Sequence, residues 1–156
     1  MPGLATSVRR RHAVSMDAGT PSQPVDWPDI WREVASRLAS HRAAGRGHLL
    51  TEDVVRMETV LALAGADVHA GRLAMEHLAP ELEGGKLDLV IDPPHGVVIE
   101  LKYPRDSRTG FSPDTMTLGE LVRDFLRVAV VPAEQRWVVQ VLNPRLQRYL
   151  TGLVDR

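Results

Sequence analysis

Gly85-Lys86-Leu87-Asp88-Leu89-Val90-Ile91-Asp92 and Val97-Val98-Ile99-Glu100-Leu101-Lys102 are two short apolar runs separated by Asp92-Pro93-Pro94-His95-Gly96. Runs of this length, rich in Val, Ile and Leu and divided by a Pro/Gly turn, predict two β-strands joined as a hairpin. Strand residues alternate between faces, so Val98, Glu100 and Lys102 share one side while Val97, Ile99 and Leu101 share the other. Asp88 interrupts the apolar residues of the first strand. Two carboxylates and one amine thus sit on neighbouring strands of an otherwise apolar sheet, where buried charge is costly unless it is paired or binds a metal.

The rest of the 156-residue chain fits around this hairpin as one domain. Residues 1–25 mix Ser, Pro, Gly, Thr and Arg without periodicity and read as a disordered lead; Met16 is an alternative start within it. Residues 26–156 read as the folded unit. Asp26-Trp27-Pro28 opens a helix that ends near Ala43, with Ile30, Trp31, Val34, Ala35, Leu38 and Ala39 as its stripe. Thr51 caps a second helix with Val54, Met57, Leu61 and Ala64 on one face, stopped by Gly65. A further strand is expected over residues 72–79, although Leu73-Ala74-Met75-Glu76-His77-Leu78 suits a helix equally. After Lys102 comes a loop, Tyr103 to Asp114, and then a capping box at Thr117-Leu118-Gly119-Glu120. The helix it opens runs to Val130, its buried face made of Leu118, Leu121, Val122, Phe125, Val128 and Ala129. A strand over Arg136–Val141 and a short terminal helix after Asn143-Pro144 complete the chain. The fold class is α/β: helix, helix, strand, strand, strand, helix, strand, helix, with the third strand, helix and fourth strand forming a right-handed crossover in a mixed sheet.

Composition narrows the chemistry. The net charge is −1, which argues against a strongly electrostatic nucleic-acid binder but leaves room for a local patch. Residues 51–102 hold 4 Lys or Arg against 10 Asp or Glu, and residues 103–156 hold 8 against 6. An acidic middle beside a basic end suits a cation site bordered by phosphate-contacting arginines. With no cysteine, disulfides, zinc–thiolate sites and thiol catalysis are excluded. The six histidines lack ligand-like spacing. No apolar segment is long enough for a membrane span, Arg9-Arg10-Arg11 has no hydrophobic run after it, and a cytoplasmic location is expected. Lys86 and Lys102 are the only lysines. A lysine beside two acids differs from an arginine there, because its proton can be exchanged and it can orient or activate water.

The order of elements, with Asp88, then Glu100-Leu101-Lys102 on the next strand, and a preceding helix beginning Thr51-Glu52-Asp53-Val54-Val55-Arg56, resembles the PD-(D/E)XK nuclease superfamily over residues 51–142. The resemblance implies a restriction-endonuclease-like core, α-β-β-β-α-β, with an extra N-terminal helix. It implies that Asp88, Glu100 and the backbone carbonyl of Leu101 bind Mg2+ or Mn2+, and that Lys102 is the motif lysine. It also implies a glutamate from the first core helix, for which Glu52 is the first choice and Glu58 the second. Leu87-Asp88 stands where the family's name has Pro-Asp. Hard oxygen donors suit magnesium or manganese. The implied activity is hydrolysis of a phosphodiester, in DNA, in repair, recombination or phage defence, with a homodimer or a recognition partner supplying selectivity. Arg105 and Arg108 in the loop, and Arg123 and Arg127 on an outer helix face, are the candidate phosphate contacts.

Two other readings compete. One is a catalytically inactive module of the same fold that binds nucleic acid or protein. The other is a structural domain in which Asp88, Glu100 and Lys102 form a salt bridge within the sheet, or in which the two acids point apart. The nuclease reading requires Asp88 and Glu100 to lie within reach of one metal ion.

Overall fold

The computed structural model describes residues 24–93, 96–103, 114–142 and 144–154. Residues 1–23 of the expected lead and most of the expected loop, with Arg105 and Arg108, lie outside the described residues, and Val25, at the end of the expected lead, packs against the core. Four helices and four strands follow the expected order: α1 (Trp27–Ala43), α2 (Glu52–Gly65), β1 (Leu73–Leu78), β2 (Lys86–Ile91), β3 (Val97–Lys102), α3 (Asp114–Val130), β4 (Gln135–Gln140) and α4 (Pro144–Val154). The sheet order is β1-β2-β3-β4. The first three strands form an antiparallel meander, and α3 carries the chain over so that β4 lies parallel to β3. The protein is therefore α/β, with a four-stranded mixed open sheet.

Local chemistry starts the first two helices where expected. The Asp29 N–H donates to Asp26 Oδ1 at 3.2 Å, and the Val54 N–H donates to Thr51 Oγ1 at 3.3 Å. Both helices cover one face of the sheet. Ile30, Val34 and Leu38 of α1 and Val55 and Leu63 of α2 pack with Leu89, Ile91, Ile99 and Leu101. Trp27, Trp31 and Trp137 stack together at this face with ring centroids 5.3–5.8 Å apart, so the tryptophans are packing groups. The buried face of α2 is Val55, Thr59, Ala62 and Leu63, not the expected Val54, Met57, Leu61 and Ala64. The reason is Thr59, polar by composition, whose hydroxyl donates to the Val55 carbonyl at 2.8 Å and can therefore be buried.

The other face carries α3, and here the expected helix orientation holds for Val128, with Leu118 and Leu121 half-buried, but not for Val122, Phe125 and Ala129. α3 begins at Asp114, so Thr117 lies inside the helix and is not its cap. Asp124 and Val128 are buried, whereas Val122, Phe125, Leu126 and Val130 are 50–65% exposed. The helix turns a partly charged face inward, because the strand beneath it presents Glu100.

Strand alternation also breaks, and it breaks at Asp88. Leu89 and Ile91 face α1 and α2, but Leu87 packs with Val90, Val98 and Val128 on the opposite side. Residues 87 and 89 would share a face in a regular strand. The β1–β2 register skips the position where Glu76 would face Asp88, and Glu76 has a left-handed backbone, φ 49°. On its other side β2 pairs with β3 only from Leu89–Ile99 to Ile91–Val97. Both neighbours thus part from β2 around Asp88, and backbone strain of this kind is characteristic of functional positions.

The hairpin turn leaves no room at Gly96: a Cβ there would lie 2.2 Å from the Ile91 carbonyl oxygen. Gly119, on the exposed side of α3, has open space around it. Gly96→Ala is expected to destabilise the protein by about 1–3 kcal/mol. Gly119→Ala is expected to stabilise it by about 0.5–1 kcal/mol. Urea titration of both variants measures the contrast, and a stable Gly96→Ala protein would contradict the turn geometry.

Candidate functional site

The parting of the strands puts acids and bases from four elements together. Asp88 comes from β2, Glu100 and Lys102 from β3, Glu52 and Arg56 from the first turns of α2, and Asp124 and Arg127 from α3. One oxygen of Asp88 accepts from Arg56 Nη2 at 2.7 Å, and the other accepts from the Leu101 N–H at 2.7 Å. The Asp88 carboxylate thus stands in for the missing ladder bond between β2 and β3. Glu100 Oε1 accepts from Arg127 Nη1 at 2.7 Å, and the same guanidinium donates to the Lys86 carbonyl at 3.0 Å. The Lys102 ammonium lies 3.9 Å from Glu52 Oε2 and 3.8 Å from Asp124 Oδ2.

Asp88, Glu100 and Lys102 therefore do not neutralise one another in a salt bridge within the sheet. Their close partners are arginines reaching in from the two helix layers. Of the expected acids, Glu52 is brought to Lys102, whereas Glu58 faces α1 and is held by His41 at 2.7 Å. Leu101 engages Asp88 through its N–H, and its side chain lies in the core. Arg123 is largely exposed, on the outer face expected for it. Arg127 does not share that outer face: it turns inward, because the buried Glu100 carboxylate demands a counter-charge.

Two residues were not anticipated. Arg56 lies four residues after Glu52, and that spacing, one helical turn, is the only signal of their shared face. Asp124 sits between Leu121 and Val128 in the inward phase of α3, a position where an acid is out of place. Its side chain is fully buried, and neither carboxylate oxygen has a hydrogen-bond partner among the described residues. Glu100 Oε2 is likewise buried without one.

Burial pushes the Glu100 carboxyl up to about 7, with the charges of Asp88 and Asp124 adding to the rise and Arg127 and Lys102 opposing it. Burial alone would lower Arg56, but the hydrogen bond and charge of Asp88 outweigh it and hold the guanidinium above its ordinary range. Among the described residues no three acidic or histidine side chains converge at metal-ligand distances, since Arg56 and Arg127 each draw one acid to themselves. The donor set nonetheless fits a hard cation. It is all carboxylate oxygen, and the buried oxygens of Glu100 and Asp124 lack the partners that such atoms require. Comparison with protein-family models, curated proteins and solved structures gives no match.

The raised Glu100 fixes the sign of a pH effect. Between its ordinary value of 4.5 and about 7, the folded protein holds a proton that the unfolded chain has released. Stability of the metal-free protein is therefore lost as pH rises through that window, by up to about 3 kcal/mol, and the loss is complete above it. Glu100→Gln is expected to abolish this contribution and to stabilise the metal-free protein at pH 8, since the amide oxygen still accepts from Arg127. Denaturant titrations of both proteins at pH 5 and pH 8 read the difference; equal pH dependence in the two would refute it.

Proposed function

We propose that this chain is a metal-dependent nuclease of the PD-(D/E)XK type, acting in the cytoplasm on DNA phosphodiesters with Mg2+ or Mn2+. The observation that carries the reading is the opening of the sheet at Asp88, with Glu100 and Lys102 on the facing strand and Glu52 delivered to Lys102 by α2. The strand order, a meander followed by a helical crossover to a parallel strand, supports the reading of a restriction-endonuclease-like core.

Asp88 and Glu100, with the Leu101 carbonyl, would hold the cation, which when bound polarises the scissile phosphate and lowers the pKa of an attacking water. The Lys102 side chain is about one-quarter exposed, which supports a role beside an attacking water. Held loosely between Glu52 and Asp124, the ammonium can orient that water and offset the charge that develops on the phosphorane oxygens. Arg123, exposed beside Asp124, is assigned to the substrate phosphates, and Arg105 and Arg108 are assigned the same role. Freed from their acids by the cation, Arg56 and Arg127 become further candidates for substrate phosphate.

Plasmid and oligonucleotide cleavage, with Mg2+, Mn2+ or EDTA, tests the proposal, and RNA and single-stranded arms define the substrate. Cleavage is expected with either metal and none with EDTA. Lys102→Ala and Asp88→Asn are each expected to reduce the rate by about 10²-fold or more while keeping the wild-type circular dichroism spectrum. Full activity in either variant would remove the assignment. Tight DNA binding without cleavage in any metal would favour the non-catalytic binding module instead.

A further inference from the structure

Asp124 is the one acid in the cluster whose presence the fold does not explain. It is fully buried, in the interior of a helix that it does nothing to cap, and aspartate is a poor helix former there. Three cations surround it, Lys102 Nζ and Arg127 Nη1 at 3.8 Å and Arg123 Nε at 3.9 Å, yet none donates a hydrogen bond to it. A structural ion pair in this setting closes further: Arg56–Asp88 and Arg127–Glu100, its immediate neighbours, both stand at 2.7 Å. Buried carboxylates normally collect several donors. Asp124 therefore imposes a desolvation cost without gaining the contacts that would offset it.

Glu100 shares the deficit. Its Oε2 is buried without a hydrogen bond. Two carboxylates from β3 and α3 thus face a common space with three unsatisfied oxygens between them. The group that now neutralises both is the Arg127 guanidinium, 2.7 Å from Glu100 and 3.8 Å from Asp124. We propose that Asp124 is a third carboxylate ligand of the divalent-cation site, sharing with Glu100 a cation whose place Arg127 takes in this structure. This rests on the metal-dependent reading above and adds to it a ligand from α3. Three acids from three elements suit a hard cation with oxygen ligands better than two, and the third comes from the helix that also carries Arg123 and Arg127.

The test is Mn2+ binding to the full chain, stripped with EDTA and dialysed, followed by electron paramagnetic resonance. Asp124→Asn is expected to weaken Mn2+ binding by about tenfold or more. Its melting temperature in EDTA is expected to be unchanged or raised, which separates a lost ligand from a lost fold. Wild-type affinity in a folded Asp124→Asn protein would overturn the inference while leaving the metal-dependent reading intact. No Mn2+ binding by the wild type would overturn both. Should Asp124→Asn fail to fold, Arg127→Gln decides. Tighter Mn2+ binding, because the competing cation is gone, supports the shared site, and unchanged binding refutes it.

Discussion

A carboxylate placed on the inward face of a central strand sets the terms for everything around it. Glu100 is 4% exposed, between the sheet and α3, and burial holds its proton until about pH 7. A side chain there is tolerated ionised only if a cation comes to it. Arg127 supplies that charge in the present state, and in doing so it decides which way α3 faces. The helix presents Asp124, Arg127 and Val128 to the sheet and leaves Val122, Phe125, Leu126 and Val130 outside. A helix rotated to bury that apolar stripe would pack better and would strand Glu100 without a partner. The electrostatic demand of one residue has overridden hydrophobic periodicity along a whole helix.

The same logic explains the strained centre of β2. Regular pairing at Asp88 would close the ladder with backbone bonds and leave the carboxylate nowhere to go. Instead, the Asp88 side chain takes the Leu101 N–H, and β1 gives way opposite with a left-handed Glu76. The result is an opening between strands that gathers Asp88 and Glu100 from the sheet with both acids and arginines from α2 and α3. Arg56 and Arg127 give the acids of β2 and β3 their counter-charges, at the cost of ordering two long side chains.

Much of this was legible from the residues because the governing signals were local. The strands were marked by Val, Ile and Leu runs and the Asp92–Gly96 turn, and the first two helices by Asp26 and Thr51. Asp88, Glu100 and Lys102 stood out as charges within apolar strands, whereas Glu52 was marked only by the family resemblance. The faces of α2 and α3 were misjudged because apolar counting assumes that burial goes to carbon. Thr59 is buried through a hydroxyl that bonds its own helix, and Arg127 is drawn inward by Glu100, with Asp124 beside it. These depend on what lies opposite in space, which no window of sequence contains. Asp124, which no feature of the sequence singles out, is visible as a site residue only once α3 is seen against β3.

The most direct measurement is a crystal structure of the protein grown with Mn2+, read by anomalous scattering. A manganese peak bonded to Asp88 and Glu100 at about 2.0–2.6 Å, with Arg127 displaced from Glu100, is the result this account predicts. A peak at other acids, or none, with the Arg56–Asp88 and Arg127–Glu100 pairs intact at saturating metal, would contradict it.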